Sequence, residues 1–142
     1  MPQRLSVDDP LVAAARQAAN KAYVPYSRFR VGAALETDGG VICGCNVENA
    51  SFGMTICAER TAIVSAVAAG HRRFRRIAIS LPDSPPGSPA TAFMPCGACR
   101  QVIAEFVGPD FELAIDGVGQ FTFAELFPNP FVLPATRTEE TR

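Results

Sequence analysis

A chain of 142 residues, 48% hydrophobic and 19% charged, has the length of one domain and the composition of a globular protein. Its net charge of −1 argues against a general nucleic-acid or membrane-surface binder, because both draw on a large positive excess, so the expected ligand is small. No apolar run approaches the roughly 18 residues of a membrane-spanning helix, and MPQRLSVDDPLVAAARQ lacks a basic-then-apolar leader, so a cytoplasmic protein is expected.

Residues 9–23 read as a helix: Pro10 stands just inside an Asp9 cap, and Leu11, Val12, Ala15, Ala18, Ala19 and Ala22 recur at helical spacing. Residues 28–37 and 41–48 are strand-like, and the TDGG between them suits an antiparallel hairpin. The alanine-rich stretch 57–70 reads as a second helix stopped by Gly70, and 75–81 as a third strand. Residues 82–95 hold five of the twelve prolines and read as an exposed loop, since too little chain follows to build a second core. A third helix is expected over 96–108, with Val102, Ile103, Phe106 and Val107 on one face. Two short strands (111–117 and 119–122) and a helical turn (123–127) follow, and a polar tail starts at about 134. This order predicts an α/β fold in a single domain, 1–142: a three-layer α/β/α sandwich whose mixed sheet of about five strands carries helices on both faces.

The five cysteines, Cys43, Cys45, Cys57, Cys96 and Cys99, are an odd number, and a reducing compartment favours metal or thiol chemistry over disulfides. Cys96 and Cys99 form a Cys-x-x-Cys pair at a helix start, a spacing that serves one metal ion or a redox disulfide. Cys57 opens another helix, and two helix N-termini can point at one spot beyond the strand ends, where both dipoles favour thiolates. Three thiolates leave a tetrahedral zinc ion one ligand short, which marks a catalytic site. Glu59 would then move protons between an activated water and a substrate nitrogen. Plainer readings exist: buried free cysteines for the three thiols, and a first-turn carboxylate complementing the dipole for Glu59. Cys43 and Cys45, two apart in a strand, read as core or half-buried side chains. The run HRRFRR (71–76) reads as a solvated junction, and His71 stands at least ~18 Å along the helix from Cys57.

The segments CAER (57–60) and PCGACRQV (95–102), preceded by YVPYSRFRVGAAL (23–35) and GCNVENAS (44–51), resemble the cytidine deaminase family, in its small homotetrameric branch with an all-cysteine zinc site. The likeness runs from about Tyr23 to Phe131. It implies zinc-dependent hydrolytic deamination of cytidine and 2′-deoxycytidine to uridine and 2′-deoxyuridine, with release of ammonia, in pyrimidine salvage. It implies one Zn2+ per chain on Cys57, Cys96 and Cys99, with Glu59 as the catalytic proton shuttle and Arg60 donating to the ligand sulfurs. Phe29 would pack on the pyrimidine, Ala58 would touch the substrate, and Asn46 and Glu48, taken as two apart on a strand face, would bind the ribose hydroxyls. Phe131 would reach a neighbouring subunit's site, and Tyr26 is a further pocket candidate. One departure is Phe52, where many relatives carry tyrosine, so a hydroxyl contact from that position is absent. The partners implied are a small nucleoside and other copies of the chain, without nucleic acid or membrane. The rivals are a deaminase of another cytosine nucleoside such as blasticidin S, a structural zinc module needing a fourth ligand from Cys43 or Cys45, and a polynucleotide editing enzyme.

Overall fold

Asp9 closes the N-terminus of the first helix: its Oδ1 accepts the Leu11 N–H at 2.9 Å, Pro10 occupies the first turn, and α1 runs Pro10–Ala19. The computed structural model describes residues 9–134; from 135 onward the expected polar tail lies outside them. Strands β1 (Gly32–Thr37) and β2 (Gly40–Cys45) pair antiparallel through a tight turn in which Gly40 adopts a φ of 118°. Then follow α2 (Ala58–Ala68), β3 (Phe74–Ser80), α3 (Gly97–Ala104), β4 (Glu112–Ile115), β5 (Gly119–Thr122) and α4 (Phe123–Leu126). Two short 3₁₀ turns, Phe52–Met54 and Ala90–Phe93, carry no hydrophobic periodicity and were not expected. No helix among the described residues is long and apolar enough to cross a membrane.

The expected mixed five-stranded sheet forms in the order β2-β1-β3-β4-β5, with β3 and β4 parallel and the other pairs antiparallel. One boundary corrects the sequence reading: β2 stops at Cys45, so Asn46 and Glu48 lie beyond the strand, and Val47 alone between them bridges to Tyr23 and Ile56. The reason is local, because the Asn46 side chain binds backbone on either side of Arg30 where a longer strand would have paired.

Each face of the sheet carries helices. On one face Ala34, Ala78 and Ala114 stand side by side on β1, β3 and β4 beneath Leu11, Val12 and Ala15 of α1. On the other, Leu35, Ile77, Ile79, Leu113 and Ile115 pack with Ile63 of α2 and Ile103 of α3, each such buried side chain contributing about 1.5–3 kcal/mol. Two glycines let the helices come close. A Cβ on Gly32 would meet the Ala15 carbonyl oxygen at 2.0 Å, and one on Gly44 would lie 2.4 Å from the Ala62 nitrogen and 2.6 Å from the Ala58 oxygen. The basic run 71–76 is only partly a solvated junction: Arg76 pairs with Asp9 and Glu36, and the Phe74 ring stacks 5.2 Å from Phe106.

Register places the loops that matter at one end of the sheet. Cys45, Gly32 and Ser80 are neighbours across β2, β1 and β3, and Ile79 pairs with Ile115 at the end of β4. Residues 29–31, 46–48 and 81–83 therefore emerge together, beside the starts of α2 and α3.

Gly44→Ala is expected to cost about 1–3 kcal/mol in chemical denaturation, since α2 cannot move off β2 without opening the core. Gly108→Ala, which meets nothing within 4 Å, should change stability by no more than about 0.5 kcal/mol in the same assay.

Candidate metal centre and active site

Cys57 and Cys96 occupy the N-cap positions of α2 and α3, and Cys99 lies in the first turn of α3. The Cys57 and Cys96 sulfurs are 3.9 Å apart, Cys96 and Cys99 3.5 Å, and all three lie within 4.8 Å of one another. Both helix N-termini present the positive ends of their dipoles here, which favours thiolate over thiol. Arg60, one turn along α2, donates from Nη2 to the Cys57 sulfur at 3.5 Å.

The hydrogen bond from Cys99 holds the Cys57 thiol down to about 5 despite burial, with Arg60 and Cys96 adding to the effect. The same contact with Cys57, together with burial, pushes Cys99 far up. The opposite shifts favour ionisation of Cys57 over Cys99, and a divalent cation would favour the ionised form of both. Arg60 is raised in turn, mainly by its bond to Cys57, while its Nε is buried without a protein partner.

This donor set fits zinc. Three sulfurs converge within reach of one ion, and two helix ends and a guanidinium offset their surplus negative charge. Among the described residues no fourth cysteine, histidine or carboxylate joins the group. Cys43 is exposed and Cys45 half-buried on β2, away from it; the core or half-buried placement expected of both holds for Cys45 and is corrected for Cys43, because β2 is an edge strand.

A cavity of about 170 Å³ opens beside the sulfurs. Of the residues the sequence singled out, Asn46, Cys57, Ala58, Glu59 and Cys96 line it. Val31, Thr55, Ile79, Leu81, Phe93 and Met94 complete the wall and were not foreseen. Two signals would have found some of them: Phe93 and Met94 directly precede Pro95 and Cys96, and Ile79 and Leu81 stand at the C-terminal end of a predicted strand, where sites collect. Glu59 is 4% exposed. Burial raises its carboxyl pKa, the Cys57 charge adds to this, and its own backbone N–H, Cys99 and Arg60 pull the other way. A wider groove of about 510 Å³ under the proline-rich loop shares Leu81 and Phe93, but no titratable side chain lines it.

Not every expected residue reaches the cavity. The Asn46 amide donates to the Phe29 carbonyl at 2.8 Å and accepts the Val31 N–H at 2.9 Å. Glu48 accepts the backbone N–H groups of Tyr26 and Ser27, and the Ser27 hydroxyl, which hold its pKa below the usual range. Phe29 and Glu48 flank the cavity without lining it. Phe131, 66% exposed, also stands outside it, its carbonyl accepting from Gln101 Nε2 at 3.2 Å. Tyr26 and Phe52 pair edge-on, 5.8 Å between ring centres, with Phe52 73% exposed.

Residues 5–113 match the family model for the cytidine and deoxycytidylate deaminase zinc-binding region. The chain is 44% identical over 128 residues to the cytidine deaminase of Sporosarcina psychrophila, covering 87% of this chain and 90% of that one. It is 46% identical over 121 residues to the cytidine deaminase of Mycobacterium tuberculosis, covering 84% and 85%. Among solved structures, cytidine deaminase from Burkholderia pseudomallei superposes with a TM-score of 0.75 at 46% identity, over 89% of this chain and 100% of that one. The Mycobacterium tuberculosis enzyme does so with a TM-score of 0.76 at 42% identity, over 90% and 100%.

Elemental analysis of the purified protein should find about one zinc ion per chain. Cys57→Ala, Cys96→Ala or Cys99→Ala should each lose it, whereas the Cys43→Ala, Cys45→Ala double variant should keep it. Arg60→Gln is expected to weaken zinc binding about 10–100-fold in a competition titration against a chelator.

Proposed function

The chain belongs to the cytidine and deoxycytidylate deaminase family, and we propose that it hydrolyses the 4-amino group of free cytidine and 2′-deoxycytidine, releasing uridine or 2′-deoxyuridine and ammonia. The observation that carries this reading is a buried carboxyl, Glu59, in one small cavity with two of three clustered cysteine sulfurs. A structural zinc module would call for a fourth protein ligand, and none joins the group among the described residues.

Cys57, Cys96 and Cys99 would hold zinc, which when bound would supply Lewis acidity and make a water nucleophilic at neutral pH. Glu59 takes a proton from the water whose oxygen bonds to C4 and places it on N3 of the cytosine ring. It then carries the remaining proton of that oxygen to the amine nitrogen, which leaves as ammonia when the C4–N bond breaks and the C4 carbonyl forms. Burial suits it to this work, because a carboxyl with a raised pKa can both hold and release a proton near neutral pH. Ala58 and Val31 wall the ring, with Phe29 packing at its edge. Asn46 retains one amide N–H and one lone pair beyond its backbone contacts, enough to bind a ribose hydroxyl, and Glu48 adds a carboxylate at the same rim.

The cavity volume supports assembly. About 170 Å³ falls short of the ~300 Å³ at the lower end of small-molecule pockets, so one chain encloses the base and leaves the sugar at the rim. Exposed Tyr26, Phe52, Met54 and Phe131 supply apolar surface suited to cover that rim on another copy. The proposed unit is a homotetramer in which Phe131 of one subunit closes the site of another. The proposed setting is cytoplasmic pyrimidine salvage.

Incubation with cytidine should produce uridine, followed by the change in ultraviolet absorbance. Glu59→Gln should keep its zinc yet lose about 10²–10⁴-fold in kcat, since an amide cannot accept the proton; near-normal turnover would remove Glu59 from the mechanism.

Light scattering under assay conditions should report a tetramer, and Phe131→Ala should raise KM about 10-fold while zinc content stays intact. A fully active monomer contradicts the shared site.

A further inference from the structure

Residues 26–31 lead to the cavity, which Val31 lines, and lie outside β1, which begins only at Gly32; the Asn46 N–H donates to the Val31 carbonyl at 3.2 Å and carries the pairing one residue further. Within them Arg28, at a φ of 56°, is the single non-glycine residue with positive φ among the described residues. Side chains from elsewhere hold this segment in place of a sheet ladder. Glu48 binds the turn at Tyr26 and Ser27, and Asn46 binds the backbone of Phe29 and Val31. Arg30, between them, is taken by Asp83, 53 residues away in sequence. Asp83 Oδ2 accepts both the Arg30 backbone N–H and Nε at 2.9 Å, and Oδ1 accepts Nη2 at 2.7 Å. Arg30 Nη1 reaches Asn20 Oδ1 at 3.2 Å.

Asp83 belongs to the neighbouring stretch, since Gly32 pairs with Ser80 across β1 and β3 and the residues just beyond them emerge side by side. It follows Leu81 by two residues and heads the proline-rich loop, whose far end, Phe93 and Met94, lines the cavity just before Cys96. We propose that Arg30 and Asp83 are a positioning pair that seats Val31 at the substrate cavity by tying the 29–31 segment to the head of the loop whose far end, Phe93 and Met94, lines the same cavity. The inference rests on the deaminase reading for what fills that cavity.

The forked geometry makes the pair suited to this. A guanidinium bound to a carboxylate through two N–H groups fixes orientation as well as distance, and the backbone N–H adds a third anchor on the same oxygen. Both side chains are partly exposed, so the pair adds little to global stability. Arg30 holds the Asp83 carboxyl at about 2, so the pair stays ionised across the ordinary working range. Glu59 and the three sulfurs ride on α2 and α3 and do not depend on it. Loosening the walls therefore weakens packing on the substrate more than it disturbs the proton transfers.

The test is steady-state kinetics on cytidine with zinc-loaded wild type, Arg30→Ala, Asp83→Ala, the double variant and Arg30→Lys. Each alanine variant should raise KM about 10-fold with kcat within about twofold, at wild-type zinc content and thermal midpoint. The double variant should be no worse than the worse single one, and lysine, a point charge without the fork, should restore KM only in part. An unchanged KM, additive losses, or a defect in Asp83→Ala that Arg30→Ala lacks overturns the pair. A parallel fall in kcat and thermal midpoint does so too, since it marks a merely structural contact. Hydrogen exchange reads the same pair without substrate: Asp83→Ala should speed exchange at 29–31 and Arg30→Ala at 81–84, about 10-fold in each. No change in either segment overturns the proposal. Wild type that leaves cytidine untouched counts against the deaminase reading alone, and exchange then decides the pair.

Discussion

Three sulfurs within 4.8 Å of one another repel as soon as more than one ionises, and the rest of the site is organised around that repulsion. Cys57 and Cys96 cap two separate helices, so each thiolate meets backbone N–H groups that have no partner within the helix. Arg60 adds a full positive charge from one turn behind Cys57. The lowered Cys57 pKa and the raised Cys99 pKa are two sides of this arrangement, in which the contact between the two sulfurs favours the charge on Cys57. Glu59 feels the same field from the other side: burial raises its carboxyl most, and the Cys57 charge adds to the rise.

Bringing two helix starts to one spot is a packing problem. α2 must lie almost in contact with the backbone of β2, and the Gly44, Ala58 and Ala62 contact leaves no room for a single added methyl group. Because Ala58 sits between Cys57 and Glu59, the residues that permit the close approach also place the chemistry. The opposite face follows the same logic with Gly32 against Ala15 and Ala19, and with the alanine row across three strands. Small residues here set helix height above the sheet, and helix height sets where the sulfurs meet.

The layered fold and the thiol cluster were legible in the sequence because both rest on local patterns. Leu35, Ile77, Ile79, Leu113 and Ile115 sit in short strand-like runs, and Cys57, Cys96 and Cys99 stand at helix starts that propensity alone would place. What escaped was long-range and polar. Asn46 was read as standing on a strand, whereas it lies just beyond β2, and its amide makes two bonds to the Phe29–Val31 backbone that the sequence did not foretell. Asp83 lay inside a stretch read only as a proline-rich loop, and no spacing rule links it to Arg30. Side-chain bonds to irregular backbone have no period, so they leave no trace in a pattern search.

Such bonds also explain why the cavity belongs partly to loops. Regular strands stop at Gly32, Cys45 and Ser80, and beyond them backbone pairing is sparse, so many backbone groups are satisfied by side chains. Glu48, Asn46 and Asp83 fill that role on consecutive stretches of one segment, and the segment forms a wall without being a strand. It is also open on its outer side, where Tyr26 and Phe52 face solvent as an aromatic pair. An enclosed metal-side pocket with an open aromatic rim separates the two tasks of the site: the helices hold the reacting groups rigid, and the loops determine what can be seated against them.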